Sequence, residues 1–148
     1  MTKIAVLSDI HGNTGALEAV LTDAEKAGVE EYWLLGDILM PGTGRKSILR
    51  RLEELPITVR VLGNWEESLW RAAHRKLDTS RPSHRYLLRQ CQYIMEEISL
   101  DEIEELQDFP MHTHRQFGNL KVGISHHLPD KNWGRELIHL GKQEDFDR

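Results

Sequence analysis

Asp9-Ile10-His11 sets a carboxylate and an imidazole two residues apart. On extended backbone those side chains share a face, so both can reach one metal ion. Asp37 offers a second carboxylate, whose two oxygens can each bind a different cation. Asn64 adds a neutral amide oxygen, and His126 a second imidazole. Mixed carboxylate, amide and imidazole donors suit Mn²⁺, Zn²⁺ or Fe better than Ca²⁺ or a thiolate-loving ion. Two ions about 3.5–4 Å apart could hold a bridging hydroxide and clamp both oxygens of an in-line displacement at phosphorus.

These donors need a scaffold that brings them together, and the first 64 residues contain one. The apolar runs Ile4 to Leu7, Tyr32 to Leu35 and Val59 to Leu62 read as strands. Between them, Ala16, Leu17, Val20, Leu21 and Ala24, and then Ile48, Leu49, Leu52 and Leu55, recur at helical steps. Gly28 stops the first helix and Pro56 the second. Strand, helix, strand, helix, strand implies two crossover units and a parallel sheet, hence an α/β fold. Asp9, Asp37 and Asn64 each follow a strand, 28 and 27 residues apart, close to the roughly 30 residues of one crossover unit. Parallel strands place their carboxyl ends on one edge of the sheet, where α/β folds build their sites.

Downstream, Glu66 to about Asp108 reads as helices. Pro82 is expected to break the first, Tyr86, Leu87, Ile94 and Ile98 stripe the second, and Ser99-Leu100-Asp101-Glu102 forms a capping box that opens a third. Met111 to Phe117 and Leu120 to Ile124, joined by Gly118-Asn119, predict a hairpin. Ser125 to Arg148 shows little periodicity. Cys91 is the single cysteine of the 148 residues, which excludes an internal disulfide framework and a Cys-rich zinc site. No apolar run approaches the roughly 18 residues of a membrane span, and the start is too short for a signal peptide, so a cytoplasmic location is expected. The net charge of −5 disfavours generic binding to polyanions without excluding a local basic patch or nucleic acid as a partner. The basic run from Arg71 to Arg89 and the acidic run from Glu96 to Asp108 are expected to be solvated helix faces, partly paired with each other.

Asp9-Ile10-His11-Gly12-Asn13, Gly36-Asp37, Gly63-Asn64-Trp65-Glu66 and Ser125-His126 together resemble the ordered motifs of the calcineurin-like metallophosphoesterases, in particular the small prokaryotic phosphodiesterases. The resemblance runs from residue 3 to about residue 128. It implies a four-layer αββα sandwich and a dinuclear phosphoesterase that hydrolyses phosphodiesters or nucleotide-like phosphate esters. By position, Asp9 and His11 would hold one metal, Asp37 would bridge, and Asn64 and His126 would hold the second. Asp37 and Asn64 would serve catalysis directly. Two divalent cations are implied, Mn²⁺ foremost and Zn²⁺, Fe or Ni²⁺ as alternatives, with a small phosphorylated molecule as substrate.

Two departures from the family pattern shape the reading. Trp65 stands where the family usually has the His of Gly-Asn-His, and an indole cannot protonate a leaving group near neutral pH. The family's final Gly-His-x-His does not follow, so residues 1–148 are expected to be the amino-terminal portion of a metallophosphoesterase domain, its sheet surface exposed and open to self-association. His112-Thr113-His114 has the same His-x-His string but follows Pro110 at the start of a strand, and is read as one face of the hairpin. His127 stays open as an alternative to His126, or as a substrate contact. Asn13 is either a phosphate donor or a helix cap, and Trp65 either a core residue or one that walls the substrate pocket or stacks on a base. The departures also leave a different class open, a metallophosphoesterase fold used as a non-catalytic interaction module.

Overall fold

The computed structural model describes residues 2–133. His139, for which no role is expected, and the sparse periodicity over 134–148 lie outside these residues. The chain begins with β1 (Ile4–Leu7), α1 (Thr14–Lys26), β2 (Glu31–Leu34), α2 (Lys46–Glu53) and β3 (Ile57–Arg60). All three strands are parallel, in the order β1-β2-β3. Three helices follow, α3 (Asn64–Ala73), α4 (Pro82–Met95) and α5 (Leu100–Gln107), and then a hairpin of β4 (His112–Phe117) and β5 (Leu120–Ser125). The fold is mixed α/β, with these five helices and two sheets among the described residues. None of the helices is long and apolar enough to cross a membrane.

Side-chain alternation divides the apolar residues of the parallel sheet between two layers. Ala5, Leu7, Tyr32 and Leu34 pack into the main core with Leu17, Leu21, Ile48, Leu52, Leu69, Cys91, Ile94 and Ile103 from the five helices. Trp33, Val59 and Val61 face the other way and meet Ile124 and Val122 of the hairpin. Trp33 stacks on Phe117 at 6.0 Å, and Arg115 of β4 pairs with Glu31 of β2 at 3.2 Å, so the hairpin lies against the sheet. Helices, sheet and hairpin thus form three successive layers. Cys91 is fully buried, and its thiol is pushed up to about 12 by burial in apolar surroundings.

Several expectations shift in detail. The second ladder ends at Leu34 and the third at Arg60, although the apolar runs continue to Leu35 and Leu62. Val61 and Leu62 are buried beyond the last ladder pair, so burial outlasts strand pairing there. Pro82 does not break a helix. It occupies the first turn of α4, where its missing N–H costs nothing, and α3 has already stopped at Ala73, before the left-handed Arg75. The capping box holds, with the Ser99 N–H donating to Glu102 Oε2 at 3.0 Å and the Glu102 N–H to Ser99 Oγ at 3.3 Å. The acidic run pairs only partly with the basic stretch. Glu96 and Glu97 bind Arg45 and Glu102 binds Lys46, both at the start of α2, while Glu104 binds His74, just past the end of α3.

Candidate metal centre

The carboxyl ends of β1 and β2 each turn sharply into the next segment. Asp9 (φ 55°), His11 (φ 48°) and Asp37 (φ 57°) all adopt the left-handed backbone conformation. Such a conformation costs roughly 1–3 kcal/mol at each non-glycine residue and persists only where the surroundings impose it. Backbone bonds between the two loops do so. The N–H of Asp9 donates to Gly36 O at 3.2 Å, that of His11 to Asp37 O at 2.9 Å, and that of Gly12 to Ile38 O at 2.8 Å. Gly36 itself has φ 82°, and a Cβ there would lie 2.4 Å from the Gly63 nitrogen, so the β2 and β3 ends can meet only through glycine.

The folded chain brings together the five residues expected to hold metal. Ligand atoms of Asp9, Asp37 and His126 all lie within 4.8 Å of one another. His11 Nε2 is 3.4 Å from Asp9 Oδ1 and 3.9 Å from Asp37 Oδ2. His126 Nε2 is 3.4 Å from Asp37 Oδ2 and 3.1 Å from Asn64 Oδ1. Asp37 Oδ2 alone faces both imidazoles, while Oδ1 accepts the Trp65 N–H at 3.0 Å. The arrangement therefore differs from a carboxylate that spreads its two oxygens over two partners.

Each imidazole is oriented by its other nitrogen. His11 Nδ1 bonds to Met40 O, and His126 Nδ1 to Leu35 O at 2.6 Å. A carbonyl at Nδ1 fixes the proton there in the neutral ring and leaves the Nε2 lone pair pointing into the cluster, which is how histidines that hold metals are oriented. Without a cation, the hydrogen bond to Asp37 raises the His126 imidazole to about 9, against the opposing effect of burial. The donor set of two carboxylates, one amide oxygen and two oriented imidazoles fits divalent transition ions.

Two residues at the site were given no role in the sequence reading. Glu66 is buried beneath Asp37 and accepts backbone N–H bonds from Asp37, Ile38 and Gly63. Burial pushes its carboxyl above the usual range, while the three N–H groups pull it back. Asn132, also buried, donates to Gly63 O at 2.8 Å, bracing the loop that carries Asn64. Glu66 had two signals, its place as the last residue of the Gly63-Asn64-Trp65-Glu66 motif and its spacing from Gly63 as the fourth residue of a capping box, and neither shows its bonds to the Asp37 loop. Asn132 had none.

The remaining candidates take peripheral places. Asn13 caps α1, its Oδ1 accepting the Ala16 N–H at 3.0 Å. The Trp65 ring stands edge-on to His11, 6.2 Å between centroids. His127 is not in the Asp9–Asp37–His126 group; its carbonyl accepts from Ser125 Oγ. His112 and His114 lie exposed on β4, with His112 Nδ1 bonded to Pro129 O at 3.0 Å, and neither joins the cluster.

The family model for the calcineurin-like phosphoesterase superfamily domain matches residues 2–145. An uncharacterized protein of Methanocaldococcus jannaschii is 39% identical over 63 residues, which make up 43% of this chain and 26% of that protein. Among solved structures, a hypothetical protein from Pyrococcus horikoshii aligns with a TM-score of 0.76 at 20% identity, over 99% of this chain and 63% of that one. This second likeness is one of fold. A metallophosphoesterase from Sphaerobacter thermophilus aligns with a TM-score of 0.54 at 28% identity, over 81% of this chain and 45% of that one. The chain thus spans about a quarter of the archaeal relative's length and less than two thirds of either structure.

Proposed function

Starting from the fact that this chain belongs to the calcineurin-like phosphoesterase superfamily, we propose that it carries the cradle for two divalent cations in an enzyme that hydrolyses phosphodiesters or nucleotide-like phosphate esters. The observation that supports this reading is the convergence of Asp9, His11, Asp37, Asn64 and His126 around one point, with both Nε2 atoms turned inward. Asp9 and His11 would hold one ion, Asn64 and His126 the other, and Asp37 Oδ2 would be shared. Bound there, divalent cations supply the Lewis acidity that activates water and polarises phosphoryl oxygens. The family resemblance puts Mn²⁺ first, ahead of Zn²⁺, Fe and Ni²⁺, and the donor set admits all four.

The chain's own residues set the limits of the chemistry. Met40 O and Leu35 O keep the two imidazoles in the tautomer that presents a lone pair. The Trp65 N–H neutralises one oxygen of Asp37 and leaves the other for the cluster. Trp65 flanks His11 with an apolar ring that has no titrating proton to give. Esters whose leaving groups depart without a strong general acid, such as activated diesters, are therefore the favoured substrates.

Asp37→Ala in the intact protein is expected to abolish Mn²⁺-stimulated hydrolysis of an activated diester. Turnover that survives this substitution refutes the assignment. A wild-type protein that neither binds Mn²⁺ nor turns over the diester would instead mark the fold as an interaction module.

A further inference from the structure

We propose that Glu66 is a positioning residue for the metal cradle, a carboxylate clamp that ties the loops after β2 and β3 together and sets the angle of Asp37. The inference deepens the reading above and rests on Asp37 being a metal ligand. Glu66 is 3% exposed, and its two oxygens accept three backbone N–H groups. Oε2 takes those of Asp37 at 2.7 Å and Gly63 at 3.1 Å, and Oε1 takes that of Ile38 at 2.8 Å.

The bond from Gly63 is the reciprocal half of an ordinary helix capping box, since Gly63 and Glu66 are the N-cap and N3 residues of α3. The bonds from Asp37 and Ile38 serve no helix. They come from a different loop, 29 and 28 residues earlier in the chain. They hold the left-handed turn at Asp37 on its own N–H and on the one that follows. The same clamp fixes the start of α3, whose Trp65 N–H binds Asp37 Oδ1. Glu66 therefore holds the Asp37 backbone on one side and Gly63, at the head of the turn that carries Trp65, on the other, and so frames the bond that leaves Oδ2 for the imidazoles.

Glutamine separates this role from simple capping. Glu and Gln serve a capping box equally well. A carboxylate, however, has two acceptor oxygens, whereas a primary amide has one oxygen and one NH₂ that can only donate. Whichever way the substituted amide turned, at least one of the three backbone N–H groups would face another donor. The cheaper orientation keeps the Asp37 and Gly63 bonds and abandons Ile38.

The test is calorimetric titration of Mn²⁺ into the metal-free wild-type chain, Glu66→Gln, Asp37→Asn and the double variant, with circular dichroism to check that each is folded. Glu66→Gln is expected to keep its helical signal and to bind Mn²⁺ roughly 10- to 100-fold more weakly, the range found when a group that orients a metal ligand is lost. The double variant is expected to bind no more weakly than Asp37→Asn alone. Wild-type affinity in folded Glu66→Gln, with Asp37→Asn impaired, overturns the clamp and leaves the metal reading intact. Wild-type affinity in Asp37→Asn overturns the metal reading itself. If Glu66→Gln does not fold, amide hydrogen exchange in the wild-type protein decides. Protection of the Asp37 and Ile38 amides supports the clamp, and exchange at exposed-loop rates overturns it.

Discussion

Asp37 and Asp9 both sit at left-handed bends after parallel strands, yet the Asp37 side chain is 3% exposed and that of Asp9 55%. The inner wall of the cradle, formed by the ends of β2 and β3, is dry and heavily cross-bonded. Asp37 has its N–H, one carboxylate oxygen and its neighbour's N–H all engaged by groups of the Gly63–Glu66 turn. The outer wall, at the end of β1, is open. Beyond its backbone bond to Gly36, Asp9 has the Ser8 hydroxyl and His11 for company, and nearby Val6 is 55% exposed. A charge on the inner wall acts through low-dielectric surroundings, whereas one on the outer wall is screened by water. The difference suits a site that must both fix its ions and admit a substrate: rigidity comes from one side and access from the other.

The largest effect is expected where the inner wall is tightest. Gly36→Ala combines a left-handed backbone with a Cβ 2.4 Å from the Gly63 nitrogen, and is expected to cost about 2–5 kcal/mol. Gly28→Ala has a similar φ of 70° but nothing within 4 Å of its added Cβ, and should cost about 1–2 kcal/mol from the backbone alone. Urea denaturation of both variants measures the gap. Equal losses would mean that the inner wall adds no packing cost to the backbone strain that Gly36 and Gly28 share.

A smaller effect involves His126, which reaches the inner wall from β5. Its imidazole is held at about 9 in the metal-free fold against an ordinary 6.5. A raised value means that protonated His126 contributes stability in full below pH 6.5 and that this contribution is lost as the pH rises through about 9. Metal-free wild-type protein should therefore lose its advantage over His126→Gln across that window. Mn²⁺ affinity should rise over the same range, because a ligating imidazole must shed its proton. Denaturation midpoints with and without Mn²⁺ at a series of pH values test both slopes.

The smallest effect belongs to the outer wall. Asn13→Ala removes the Asn13 Oδ1 cap on the Ala16 N–H and should cost about 1 kcal/mol without changing Mn²⁺ affinity, while KM reads whether its Nδ2 also donates to substrate. A rise in KM alongside the stability loss would also assign Asn13 to phosphate binding.

What the sequence disclosed follows from the range of each interaction. Helices with local caps, such as the one opened by Ser99, and the two-residue turn at Gly118-Asn119 are written in neighbouring residues. The strand ends were legible to within one or two positions, since an apolar run records burial rather than ladder pairing, as Val61 and Leu62 show. Asp9, His11, Asp37 and Asn64 could be found because the repeating strand–helix unit puts them on one sheet edge, whereas His126, which follows β5 of the hairpin, was legible through the ordered motifs. The supports could not. Leu35 O and Met40 O are main-chain atoms that any residue would supply, and Asn132 meets Gly63 across 69 positions.

The left-handed bends at Asp9, His11 and Asp37 also restrict how this site can drift. Branched side chains are barred there on steric grounds, whereas Asn accepts the same backbone almost as readily as Asp. The easiest single replacement of either acid therefore removes a negative charge while preserving the turn that carried it. Descendants of such a chain would lose their chemistry before their shape, and a silent copy would keep the outline of a working one.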